Sequence, residues 1–260
     1  MLPEHFPATG LVAHRGLAAS LPENTVPALT AALDAGTRLI EYDMQLSSDG
    51  VPMVYHDETL ARTSGLEGRV GDFDASTLAD TSAGYAGLFG DQFESITIPS
   101  HVEVVEALAA YDEACLVAEI KNQSIQRFGL RESLDPILDV LEPLRARTVL
   151  ISFQPCAVAY AQARGFATGF CIEPHDDAAH ATARMLKPDL LLTDADALRG
   201  PEDLWPGDWR WATWEIVDIE RARSLFEMGV DYVETMACDK LQVAPSLSAH
   251  RGLGDQYRSL

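Results

Sequence analysis

The chain has 260 residues, 47% apolar and 23% charged, which excludes collagen-like, disordered and disulfide-scaffold classes and suffices for one substantial core. Forty acidic residues against nineteen basic ones give a net charge of −21. Such a charge repels nucleic acid and anionic bilayers, so the expected partner is a small molecule, with no nucleic acid and no stable membrane association. If that molecule is anionic, the site must build its own positive potential from a metal ion, arginine or lysine.

No basic, apolar leader opens the chain and no apolar run is long enough for a membrane span, which predicts a cytoplasmic protein. Cys115, Cys156, Cys171 and Cys238 are dispersed without a metal or redox spacing. They read as reduced thiols, most of them buried.

The first predicted strand is the apolar run ending at His14, and a helix follows with Asn24 as its cap, Pro27 in its first turn and Gly36 as its stop. Residues 37–46 read as a strand. Residues 51–55 read as a short one that ends at His56. Residues 57–100 are glycine-rich, weakly periodic and far longer than a normal βα connection, and so read as an insertion. Strands are then predicted at 115–121, 148–153, 166–172, 189–194, 209–214 and 230–235. Helices fall between them: the stripe Leu134, Ile137, Leu138, Leu141 and Leu144, then 157–164, 177–186 and 218–228. Residues 196–207 hold at most a short helix, and 246–260 read as a tail. About eight strands alternating with helices predict parallel βα units, and the length suits a single (β/α)8 barrel domain over 1–260 with a small insertion at 57–100.

Glu41 and Asp43 are two apart on a predicted strand, so they leave the same face, and Gln45 follows them. Turned toward a core, such neighbours must protonate, pair with cations or bind a metal; on an edge strand they would simply meet solvent or arginines. Glu119 and Lys121 repeat the spacing. Lys121 is one of only three lysines, and Glu119 or Glu103 could be its partner. His14 and His56 also end predicted strands, and in a β/α barrel the strand carboxyl ends converge on the reactive face.

His14-Arg15-Gly16, Pro22-Glu23-Asn24-Thr25, the run from Glu41 to Gly50, Val54-Tyr55-His56-Asp57, Leu60-Ala61-Arg62-Thr63, Glu119-Ile120-Lys121, Ser152-Phe153 and Gly229-Val230-Asp231 resemble the signature of glycerophosphodiester phosphodiesterases. The resemblance runs from about residue 11 to 235 with the motifs in order. It implies hydrolysis of glycerophosphodiesters to glycerol 3-phosphate and an alcohol. It also implies Glu41, Asp43 and Glu119 as ligands of one divalent cation, and His14 and His56 as the acid/base pair. An all-carboxylate set suits a hard ion, Ca²⁺ or Mg²⁺. Arg15 and Lys121 would contact phosphate, and Phe153 and Trp214 the substrate. Asp57 and Arg62 either orient His56 or pair with each other. Besides Ser100-His101 after Pro99, two departures stand out: Glu215-Ile216-Val217 after Trp214, and Glu234-Thr235-Met236 in the last strand. Both are expected to lie away from the metal and proton-transfer groups.

Competing readings are a phospholipase D or sphingomyelinase D-like lipid enzyme, expected to carry an export signal and disulfides, and a silent binding barrel, expected to have lost a site residue. A nicotinamide or flavin enzyme would need a glycine-rich phosphate loop, which Gly84, Gly87 and Gly90 do not form.

Overall fold

The computed structural model describes residues 1–242, so the tail expected at 246–260 lies outside the described residues. Its strands are β1 (Gly10–Ala13), β2 (Leu39–Leu46), β3 (Pro52–Val54), β4 (Cys115–Ile120), β5 (Thr148–Ser152), β6 (Ala167–Ile172), β7 (Leu190–Asp194), β8 (Arg210–Trp214) and β9 (Tyr232–Thr235). Eight of these pair in parallel, and β1 closes the ring by pairing with both β2 and β9. The result is a (β/α)8 barrel. Strand β3 stands outside that ring and runs antiparallel to β2. His56 therefore does not end a barrel strand, as the sequence pattern implied, but follows a hairpin that folds back along β2.

The helices are α1 (Val26–Asp34), α2 (Ala61–Ser64), α3 (Ala75–Ala79), α4 (Ala86–Phe89), α5 (His101–Ala109), α6 (Asn122–Phe128), α7 (Leu130–Leu141), α8 (Pro155–Ala163), α9 (Asp177–Leu186), α10 (Ile219–Met228) and α11 (Cys238–Gln242). Helix α5 was not expected. Its start is a capping box in which Ser100 Oγ accepts from the Glu103 N–H and the Glu103 carboxylate accepts from the Ser100 N–H. At α1 the cap is Thr25, whose hydroxyl accepts from the Ala28 N–H, rather than Asn24. None of these helices is long and apolar enough to cross a membrane.

Between β3 and β4, residues 57–100 form short helices around their own core of Leu60, Val70, Leu78, Ala83 and Ile98, joined by Met53 and Tyr55. Phe73 packs against that core, whereas Tyr85, Phe89 and Phe93 stack edge to face on one another.

Inside the barrel the side chains form layers. Val12, Leu39, Val117 and Tyr232 belong to one apolar cluster. One strand period further on, the same four inward faces carry His14, Glu41, Glu119 and Glu234, all buried. The change from apolar to charged along each strand sets the depth of the site.

Candidate active site

The turn after β1 brings the first two groups into place. Arg15 and Gly16 both adopt positive φ, 57° and 86°. The left-handed conformation is strained for arginine, by about 1–2 kcal/mol. It aims the Arg15 backbone N–H at Glu41 Oε2, 3.0 Å away. Gly16 admits no side chain, since a Cβ there would lie 2.5 Å from the Ala28 backbone. Close contact between this turn and α1 thus needs glycine.

Glu41 and Asp43 point into the barrel from β2, and Glu119 on β4 lies in register with Asp43. Ligand oxygens of the three lie within 4.8 Å of one another and all three side chains are buried. Lys121 Nζ sits 3.3 Å from Asp43 Oδ1 and 3.0 Å from Glu119 Oε1, so its partners are these two and not Glu103. Asn24, at φ 57°, holds Asp43 at both ends: Nδ2 donates to Oδ2 at 2.8 Å, and Oδ1 accepts the Asp43 backbone N–H at 3.1 Å.

Burial raises the Glu41 carboxyl well above its ordinary range, and Asp43, Glu234 and Glu119 push it further. Burial also raises Glu119, to about 7, against the pull of Lys121. At Asp43 the same burial is outweighed by Lys121, His56, Arg15 and the Asn24 amide, which together hold it well below the usual carboxylate range. Among the described residues Glu41 Oε1 has no hydrogen-bond partner. Three buried carboxylates with an unspent oxygen fit a hard divalent cation.

His56 returns to this level along the hairpin. The Tyr55 N–H donates to the Asp43 carbonyl at 2.9 Å, and Gln45 Nε2 reaches the carbonyls of Tyr55, His56 and Asp57 at 3.0, 3.1 and 2.7 Å. The role of Gln45 is to fasten the His56 segment to β2. His56 Nδ1 meets Asp57 Oδ1 at 2.7 Å, and Arg62 donates to both Asp57 oxygens at 2.6 and 2.9 Å. Arg62 also grips Glu23 at 2.8 and 2.7 Å, and Glu23 in turn accepts from Arg15 Nη1 at 3.0 Å. Orienting His56 and pairing Asp57 with Arg62 are therefore one network. Glu23, His56 and Asp57 are close enough to hold an ion, but Arg62 already neutralises that cluster.

His14, buried beyond Ala13, has Nε2 at 3.8 Å from Glu41 Oε2 and 3.9 Å from Glu234 Oε2, and Nδ1 at 3.6 Å from Glu215 Oε2. Burial lowers its pKa, with Glu215 opposing. The two departures from the family pattern thus surround His14, contrary to the expectation that they lie elsewhere. Glu234 is itself buried and lifted to about 8, by burial first and then by Glu119 and Asp43. An acid inside the apolar strand β9 was the available signal, as Glu41 and Asp43 were together inside β2.

Phe153 follows β5 and Trp214 ends β8. Their rings meet at 5.5 Å and both pack, half-buried, against the apolar layer of the barrel.

Comparisons with known proteins bear on the family and the fold. The chain is 38% identical over 126 residues to a glycerophosphodiester phosphodiesterase of Caldanaerobacter subterraneus subsp. tengcongensis, covering 48% of this chain and 51% of that protein. It is 32% identical over 151 residues to one of Bacillus altitudinis, covering 58% and 60%. These matches span between half and three-fifths of the relatives' lengths. In structure, a phosphodiesterase of Oleispira antarctica in complex with sn-glycerol-3-phosphate superposes with a TM-score of 0.82 at 25% identity, over 92% of this chain and 96% of the other. The model of the glycerophosphoryl diester phosphodiesterase family matches residues 14–163, more than half of the sequence, and the chain belongs to that family.

Proposed function

We propose that the chain hydrolyses glycerophosphodiesters to sn-glycerol 3-phosphate and an alcohol, with one divalent cation, Ca²⁺ or Mg²⁺, held by Glu41, Asp43 and Glu119. The observation that carries this reading is the meeting of those three buried carboxylates with His14 and Lys121 at one end of the barrel. When bound, the cation withdraws charge from a phosphate oxygen. Arg15 and Lys121 supply the positive potential that the chain's overall charge lacks.

One histidine takes the proton of the nucleophile, which is water or the neighbouring glycerol hydroxyl, and the other donates a proton to the departing alcohol oxygen. His56 suits such a role because Asp57 holds its Nδ1 and leaves Nε2 for the substrate. The paired rings of Phe153 and Trp214 offer an apolar wall for the glycerol carbons.

The test is turnover of glycerophosphocholine by the full chain, with H14A and H56A beside it. Each variant is expected to lose about 10²-fold or more in kcat with its fold intact. The double variant should fall far short of the product of the two losses. Near-normal kcat in either single variant would make that histidine structural.

A further inference from the structure

The two histidines of the site are anchored unequally. His56 has Asp57 bonded to Nδ1 at 2.7 Å. Among the described residues His14 Nδ1 is buried without a hydrogen bond, and the nearest carboxylate is Glu215 Oε2 at 3.6 Å. Glu215 follows the last residue of β8, and the next residue is tied down where the Ile216 N–H donates to the Glu234 carbonyl at 2.8 Å. On its other side, His14 Nε2 faces two buried carboxylates, Glu41 and Glu234, at 3.8 and 3.9 Å.

A neutral imidazole carries its proton on one nitrogen only, and the hydrogen bond made by one nitrogen decides the state of the other. If Nδ1 had no acceptor, the proton would settle on Nε2 between Glu41 and Glu234, and Nε2 would have no lone pair with which to take a proton. An acceptor at Nδ1 reverses that. It leaves the lone pair on Nε2, as Asp57 does for His56.

We propose that Glu215 is the positioning residue of His14: its carboxylate accepts the Nδ1–H and selects the tautomer whose Nε2 faces the reacting groups. A movement of a few tenths of an ångström completes the bond. The Glu215 side chain is one-third exposed, which leaves room for that movement. The inference rests on His14 transferring a proton, and it assigns a role to a residue where the chain departs from the family signature.

The experiment is ¹⁵N NMR of histidine-labelled full chain without substrate, with the His14 signals assigned by their loss in H14Q. Wild type should show His14 as the Nδ1–H tautomer, and E215M, equal in length but without an acceptor, should shift it toward Nε2–H. E215Q, whose amide oxygen still accepts, should keep the Nδ1–H form. In turnover E215M should lose about 10- to 100-fold in kcat with KM changed by less than about threefold, and E215Q should recover most of that loss. A wild-type Nε2–H tautomer, or an E215M protein with unchanged tautomer and kcat, overturns the proposal. If E215M does not fold, the wild-type tautomer alone decides. Because it is read without substrate, an absence of diesterase activity would sink the functional reading and leave this result standing.

Discussion

Asn24 and Asp43 are joined by two reciprocal hydrogen bonds, side chain to side chain at 2.8 Å and backbone N–H to side chain at 3.1 Å, both buried. An asparagine tolerates the left-handed conformation this requires better than most residues. Replacing it with alanine strains the turn, leaves a buried N–H unpaired and frees the Asp43 carboxylate to rotate. N24A should therefore lose about 10- to 100-fold in cation affinity and about 1–3 kcal/mol in stability. Titration calorimetry and urea unfolding measure the two separately. Unchanged cation affinity would restrict Asn24 to building the turn.

The carboxylate layer should make cation binding depend on pH. Glu119 and Glu234 titrate in the fold at about 7 and about 8, above the ordinary 4.5, chiefly through burial. A carboxyl raised in this way holds its proton in the folded state longer than in the unfolded one. The metal-free fold therefore loses that contribution as pH rises from the ordinary carboxyl range toward 7 and 8. A cation held at Glu119 would displace the proton of that carboxyl, so binding should be stronger at pH 8 than at pH 6. Ca²⁺ at about 100 times its Kd should add about 2.7 kcal/mol, or about 5–10 °C in Tm, at pH 8. The gain should be smaller at pH 6 and absent in E41Q or D43N. Equal gains at both pH values would show that the cation does not compete with these protons.

His101, at the start of α5, titrates at about 3 because it is wholly buried, with Nε2 at 3.1 Å from the Tyr42 hydroxyl. A histidine depressed in this way stays neutral in the fold while the unfolded chain takes up a proton below 6.5. Its stabilising contribution is present above 6.5 and is lost as pH falls toward 3. Between pH 7 and pH 5 that loss is about 2 kcal/mol. H101Q cannot titrate, so the advantage of wild type over H101Q in urea unfolding should shrink by that amount at pH 5. A constant difference would mean that the ring is hydrated or already charged at pH 7.

Periodicity and spacing made most of the barrel legible, because an inward face that turns from Leu39 to Glu41, or from Val117 to Glu119, writes the depth of the site into two residues. The misses have physical causes. Asn24 has the composition of a helix cap, and nothing local distinguishes it from Thr25, which takes that role. Glu215 and Glu234 reach His14 only because β9 pairs with β1 to close the ring, a contact between opposite ends of the chain. Strand β3 ran antiparallel because a hairpin over Asp49-Gly50 cannot produce a parallel neighbour. Its consequence was to place His56 by a fold-back along β2.

The choice of leaving alcohol should reside in a cavity of about 210 Å³ lined among others by Gln45, Glu58, Arg69, Gln123 and Arg127. Gln45, Glu58 and Gln123 stand two residues beyond Asp43, His56 and Lys121, so the segments that carry the site also build this cavity. Arg69 pairs with Glu58 at 2.9 Å and Arg127 with Asp72 at 2.7 Å, whereas Gln123 Oε1 is buried with no partner among the described residues. A polar cavity with an unspent acceptor suits an alcohol rich in hydroxyl groups better than a trimethylammonium group, which prefers aromatic faces. Tyr85, Phe89 and Phe93, stacked on one another instead, are not in its lining. Phosphate binding and alcohol choice should then separate. K121A removes a cation that touches Asp43 and Glu119, and should lower kcat/KM for all diesters alike. Q123L should lower kcat/KM for glycerol and inositol diesters by about 10-fold, as expected for one lost hydrogen bond to an uncharged partner, and leave choline diesters within about twofold. If Q123L keeps the wild-type ranking across choline, ethanolamine, glycerol and inositol diesters, this cavity does not select the alcohol, and the wall formed by Phe153 and Trp214 becomes the place to look.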